Sequence, residues 1–172
     1  SLILFFSYSH ANAEDTAYAY GGIKIFNYGV ETSDLQEINT SLIALGFSSS
    51  TSETDNTGVG FDLGLGFPIS ENLAVEGGYV NYGTLEITTT LTGPSEKLTT
   101  EISGDGVTFA GVIMAEGAFV KAGMHSWDFS GKVSSSLGSS SEPLGTGTDP
   151  FFGVGFIADN VQTSFDYYAI ED

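Results

Sequence analysis

The sequence predicts an all-β protein, an up-and-down antiparallel β-barrel that crosses a membrane. Apolar side chains recur with a period of two, and no stretch sustains the 3.6-residue period of a helix. Most of the predicted strands have about the 9–11 residues that a tilted strand needs to cross a bilayer. The connections between them alternate between long and short, as in barrels with long loops on one side of a membrane and tight turns on the other.

The clearest strand is the segment 58–67, where bulky and small residues alternate. Successive side chains of a strand point to opposite faces, so this strand has one apolar face and one small or acidic face. The apolar face contains Val59, Phe61, Leu63, Leu65 and Phe67. The other face contains Gly58, Gly60, Asp62, Gly64 and Gly66.

Seven segments have this strand-like character. They are residues 17–28, 58–67, 73–87, 105–115, 118–129, 150–158 and 161–170. The long connections are 29–57, 88–104 and 130–149, and the short ones are 68–72, 116–117 and 159–160. The apolar run 41–47 in the first long connection is expected to extend a strand above the membrane.

The odd number of strands predicts one more. Single-chain bacterial barrels have even strand counts, so we expect eight strands in the full protein, with about seven in this sequence and the last one beyond Asp172. An open sheet edge in lipid leaves backbone groups without partners. The seven strands alone are therefore not expected to insert stably.

The first residues have the pattern of a secretory signal peptide. The apolar run 2–6 is too short to span a membrane, and Ala11-Asn12-Ala13 supplies the small residues that a signal peptidase requires. We expect a signal peptide over residues 1–13, truncated at its N-terminus, and a barrel domain over 14–172 that lacks its last strand. The alternative interpretation is a buried N-terminal strand.

Five charged residues are predicted to face the inside of the barrel. Each lies opposite the apolar face of its strand: Lys24, Asp62, Glu76, Lys121 and Asp166. We expect a structural ion-pair network, because charges in a narrow interior must pair. Two lysines against three carboxylates leave a net charge of −1, which predicts a compensating Arg or Lys on the missing strand.

Aromatic residues near the strand ends are candidates for the rings of aromatic side chains that mark membrane interfaces. They are Tyr79, Tyr82, Trp127, Phe67 and Phe156. Tyr82 and Trp127, however, share the parity of the interior face.

The composition excludes several classes of function. The chain has no Cys, so disulfide scaffolds and Cys-based metal sites are excluded. A net charge of −18 with four lysines and no Arg argues against nucleic acid as a partner. After the signal, His125 is the single histidine, and its neighbour Ser126 points to the opposite face. We therefore predict no catalytic, cofactor-binding or metal-binding residues.

Four segments carry a family resemblance. The run 67–79 reads Phe-Pro-Ile-Ser-Glu-Asn-Leu-Ala-Val-Glu-Gly-Gly-Tyr, and Lys121-Ala122-Gly123 precedes Trp127-Asp128. Gly147-Thr148-Asp149-Pro150 and the segment 164–168 follow in order. Together they resemble the outer membrane protein A-like transmembrane domain over most of residues 17–170. Ser164 stands where that family has Arg, and the turn 115–117 is shortened.

The resemblance implies an eight-stranded outer-membrane barrel without catalytic residues. It implies outer-membrane lipid as the surroundings, and peptidoglycan as a partner through a C-terminal domain outside this sequence. We expect a structural protein with acidic extracellular loops that serves membrane integrity or surface interaction. Two alternatives are a lipid-A-modifying barrel enzyme and a soluble lipocalin-like carrier with its bulky face inward.

Overall fold

The computed structural model describes residues 4–10, 17–47, 49–92, 96–158 and 161–170. Within them it contains nine strands and one short helix. In chain order these are β1 (Leu4–His10), β2 (Tyr18–Asn27), α1 (Thr32–Ala44), β3 (Ser49–Asp55), β4 (Thr57–Ser70), β5 (Leu73–Thr92), β6 (Glu96–Ala115), β7 (Ala118–Ser135), β8 (Gly138–Ala158) and β9 (Val161–Tyr168).

The strands form one antiparallel, curled, barrel-like sheet, which confirms the all-β prediction. The paired strands follow one another in the order β5, β4, β2, β1, β9, β8, β7 and β6, and β6 pairs again with β5. The ladders therefore connect into a ring. β3 lies outside the ring and pairs with residues 86–92 of β5, on the same side as β4.

One end of the ring has tight turns, and we call it the turn end. Glu116-Gly117 separates β6 from β7, as predicted. The predicted short connection 68–72 is shorter in the structure, because β4 continues to Ser70 and only Glu71 and Asn72 separate it from β5. Glu116 and Gly117 both have positive φ, the backbone that a two-residue hairpin turn requires. The predicted turn 159–160 lies outside the described residues.

The opposite end, here the hairpin end, differs from the prediction. Connections 88–104 and 130–149 were expected to be loops, but β5–β6 and β7–β8 continue through them as long hairpins. Thr and other β-branched residues favour extended backbone, and pairing satisfies the amide groups that a loop would leave to water. β5 has a bulge at Gly83, where φ is 80°. Before the bulge the even-numbered side chains of β5 point inward, and after it the odd-numbered ones do.

The first long connection contains α1 instead of the expected loop, and residues 41–44 belong to this helix and not to a strand. The backbone N–H of Glu31 donates to Asp34 Oδ2 at 2.8 Å, which caps the first turn. Leu35, Ile38 and Leu42 follow at helical spacing and are half-buried. No helix among the described residues is long and apolar enough to cross a bilayer.

The strand at the eighth position of the ring is also not the one expected. It was predicted for sequence beyond residue 172, but β1 occupies it, antiparallel to both β2 and β9. β2 and β9 both start at the turn end, so any strand between them must run from the hairpin end to the turn end. β1 satisfies this requirement and covers two sheet edges. Cleavage after Ala13 remains a prediction.

Candidate functional site

Exposure alternates along most of the length of the ring strands below the hairpin end. On β4 the apolar side chains point outward: Val59 is 66% exposed, Leu63 52% and Phe67 51%. Phe61 and Leu65 lie on the same outer face, while Gly58, Gly60 and Gly66 are buried inside. The bulky face of this strand is therefore the outside of the ring.

The same outer face continues around the sheet as an apolar belt. Its exposed members on the other strands include Ile23, Ile25, Phe109, Ile113, Val120, Met124, Phe152, Val154, Phe156 and Phe165. From Val59 to Ile69 the belt follows β4 for about 33 Å at about 3.3 Å per residue. At a strand tilt of about 40° this corresponds to a height of about 25 Å, similar to the apolar band of membrane barrels.

A polar row limits the belt at the hairpin end. Asn81 pairs with Asp105, Asp105 with Asp128, and Asp128 with Thr146 across three consecutive ladders. Asp105, Asp128 and Thr146 are exposed on the outer face. On strands β5 to β8 the outer surface therefore changes from apolar to polar at one common level.

The set of candidate interfacial aromatics must be corrected. Tyr82 is 2% exposed and Trp127 7% exposed, because both side chains point into the ring as their parity requires. Trp127 Nε1 donates to Asp149 Oδ2 at 2.6 Å. Tyr79 faces outward and lies 5.9 Å from Phe61 between ring centroids. Phe67 and Phe156 lie on the belt near the turn end.

Four of the five predicted interior charges form one connected cluster. Lys24 Nζ lies 2.9 Å from Asp62 Oδ2 and 3.1 Å from Asp166 Oδ2. Lys121 Nζ lies 2.9 Å from the same Asp166 oxygen, so Asp166 bridges the two lysines. The side chain of Asp166 is fully buried and that of Lys24 is 2% exposed. The cluster ties together β2, β4, β7 and β9.

Glu76, the fifth predicted charge, lies beside this cluster. It is 6% exposed, and Tyr18 Oη donates to its Oε1 at 2.7 Å. Glu76, Asp62 and Lys121 line a shared cavity of about 10 Å³, room for about one water molecule. Asp62 Oδ1 and Asp166 Oδ1 are buried without a hydrogen-bond partner among the described groups. At this level the interior is filled by side chains.

An aromatic layer lies above the charge cluster, toward the hairpin end. The Tyr82 ring centroid is 5.4 Å from that of Phe26, 5.3 Å from Phe129 and 5.7 Å from Tyr168. Phe151 stacks on Tyr168 at 5.1 Å. Tyr168 Oη also accepts a hydrogen bond from Lys24 Nζ at 3.0 Å, which links the two layers.

His125 is the polar centre of the aromatic layer. It has no exposed surface. Its Nε2 lies 2.6 Å from the Ala169 carbonyl oxygen, and its Nδ1 lies 2.6 Å from Tyr82 Oη. A carbonyl only accepts, so Nε2 carries a proton, and in the neutral ring Nδ1 then accepts from the Tyr82 hydroxyl. Ser126 is exposed on the opposite face.

The sequence carried no signal for the Tyr82–His125 contact, because the two residues lie on β5 and β7, which do not pair with each other. In the part of the chain that the structure describes, no group of three His, Asp or Glu side chains is placed to hold a metal ion. No model of a known protein family matches the sequence, and no curated protein is significantly similar to it.

Proposed function

We propose that this chain is a structural outer-membrane β-barrel, embedded in lipid through its apolar belt and acidic at the cell surface. We also propose that it belongs to the outer membrane protein A-like family suggested by its motifs. The observation that carries the proposal is the inverted arrangement of the ring: apolar side chains are exposed outside and ionised groups are buried inside. A water-soluble barrel has the reverse arrangement.

The energetics of the belt support lipid as its surroundings. Phe61, Leu63 and Leu65 are each 44–52% exposed, and an apolar surface of this extent is unfavourable in water. In a bilayer the same side chains contact hydrocarbon. A Lys facing lipid at the midplane costs about 2–4 kcal/mol, which is a physical reason for keeping Lys24 and Lys121 inside.

The filled interior at the level of the charge cluster supports a structural role over an open pore. The charge cluster leaves a cavity of about 10 Å³, and the aromatic layer lies directly above it. His125 already uses both ring nitrogens in contacts with Tyr82 and Ala169, which does not favour a hydrolase. The outward belt likewise does not favour a lipocalin-like carrier, which needs its bulky face inside.

The test is refolding of the full chain from urea in the presence and absence of phosphatidylcholine vesicles. We expect β-structure and protease protection of the ring strands only with vesicles, while the hairpin end stays cleavable. Fractionation of expressing bacteria should recover the chain with the outer membrane. Recovery of a folded, monodisperse protein in water without lipid or detergent would contradict the proposal.

A further inference from the structure

Above the polar row the ring opens into a five-stranded sheet. β9 ends at Tyr168, which pairs with Phe151, so the upper part of β8 extends beyond it. Residues 138–148 pair with β7 on one side, and on the other side no described strand pairs with them. Pro143 lies in this stretch, consistent with an edge strand, where Pro is tolerated.

The inner face of this open sheet carries apolar side chains that are buried at one edge and exposed at the other. At its β5 side Leu85 is 3% and Leu91 1% exposed. Toward the β8 edge the apolar side chains are exposed: Val133 is 44% and Leu144 56% exposed. Together with Ile102 these two side chains line a mostly apolar groove of about 230 Å³.

Two further residues shape the groove. A Cβ on Gly131 would lie 3.2 Å from Leu144 Cδ2, so the absence of a side chain at residue 131 gives Leu144 its place. Glu142 pairs with Gly131 across the β7–β8 ladder and is an exposed residue of the groove lining. The groove therefore combines apolar walls with one acidic group next to the sheet edge.

The hairpin end as a whole is acidic, which determines the sign of charge that a partner should carry. Residues 28–56, 84–104 and 130–149 at the hairpin end contain ten carboxylates and two lysines, a net charge of −8. A second copy of this chain would carry the same charge and be repelled. A basic partner would be attracted.

We propose that this groove and the adjoining β8 edge bind an extended basic peptide segment of another protein, with alternating apolar side chains. The segment adds a strand beside residues 138–142. Its inward apolar side chains contact Val133 and Leu144, and its basic side chains point outward, within the negative field of the hairpin end. The proposal rests on the proposed function only for placing this face outside the cell.

The test uses the full chain in detergent micelles and fluorescein-labelled peptides of about nine residues, followed by fluorescence anisotropy. One peptide alternates Lys with Val and Leu. A second has the same composition with its apolar residues grouped, and a third has Glu in place of Lys. We expect the alternating peptide to bind about tenfold more tightly than the grouped one and the acidic one not to bind.

Matched variants separate groove binding from general charge attraction. Leu144→Asn should weaken binding of the alternating peptide about tenfold. Leu137→Asn, the same change at the 89% exposed hairpin tip, should leave it unchanged. Equal binding of the alternating and grouped peptides, or equal effects of the two variants, would overturn the proposal. Vesicle refolding of the same preparations reports separately on membrane insertion.

Discussion

Gly153 faces Asp166 directly across the β8–β9 ladder, and a Cβ at residue 153 would collide with the Asp166 carboxylate and approach Cε of Lys121 at 2.9 Å. Because Gly153 has no side chain, the carboxylate of Asp166 that bridges the two lysines has room to fit there. The glycines of the inner face are a packing requirement of the charge cluster, in addition to suiting a narrow barrel.

Gly153→Ala is therefore expected to destabilise the barrel by about 1–3 kcal/mol, the usual effect of overpacking. The Asp166 carboxylate must move, and its ion pairs with Lys24 and Lys121 lengthen. Urea titration of the vesicle-bound protein measures the change in the free energy of unfolding. Gly111→Ala is the control, because a Cβ there has no neighbour within 4 Å; a loss of the same size in both variants would contradict this account.

Lys24→Met should destabilise the barrel by about 3–5 kcal/mol, since it leaves the Asp62 carboxylate buried without its cation. Lys132→Met removes the 3.3 Å ion pair with Glu101. The side chain of Lys132 is 50% exposed and that of Glu101 is 40% exposed. That variant should lose less than about 1 kcal/mol. Equal losses in the same urea titration would mean that Lys24 is solvated and the interior is wetter than the structure indicates.

Leu63→Lys tests whether the apolar belt faces hydrocarbon. Leu63 is 52% exposed near the middle of β4, and a Lys facing hydrocarbon there should reduce insertion into vesicles by about 2–4 kcal/mol. Thr84→Lys places the same charge on an exposed residue of β5 beyond the polar row and should insert normally. Normal insertion of Leu63→Lys would remove the main support for the proposed function.

Tyr82→Phe should cost about 1–3 kcal/mol, because it removes the hydroxyl that donates to His125 Nδ1 and leaves that nitrogen buried without a partner. The control is Tyr79→Phe on the outer face, for which we expect little change. Thermal unfolding in detergent compares the two variants. A stability unchanged by Tyr82→Phe would argue against the 2.6 Å contact.

If the predicted signal peptide is cleaved after Ala13, the chain recovered from bacterial membranes begins at Glu14. Cleavage after Ala13 would remove β1, the strand that pairs with both β2 and β9 in this structure. Mass spectrometry of the membrane-bound protein gives its N-terminal residue. Retention of residues 4–10 in the mature chain would identify this segment as the permanent eighth strand.

Much of the ring could be predicted, and most of the hairpin end could not. Segment 58–67 shows its two faces in the residue alternation itself, and the turns at 71–72 and 116–117 follow from their residue types. The helix α1 was missed because its half-buried apolar face consists of only three residues, Leu35, Ile38 and Leu42, within a polar connection. The long hairpins were missed because Ser- and Thr-rich segments suit a loop and a solvated strand equally well.

The sequence by itself determined which side chains share a face, since the alternation of a strand is a local property of its backbone. It therefore placed Lys24, Asp62, Glu76, Lys121 and Asp166 on one side of the sheet. Only the tertiary structure decided which of them meet. Lys24 and Asp166 are 142 residues apart, and their contact depends on the register of every ladder between them and on how the sheet curls. The same holds for Tyr82 and His125.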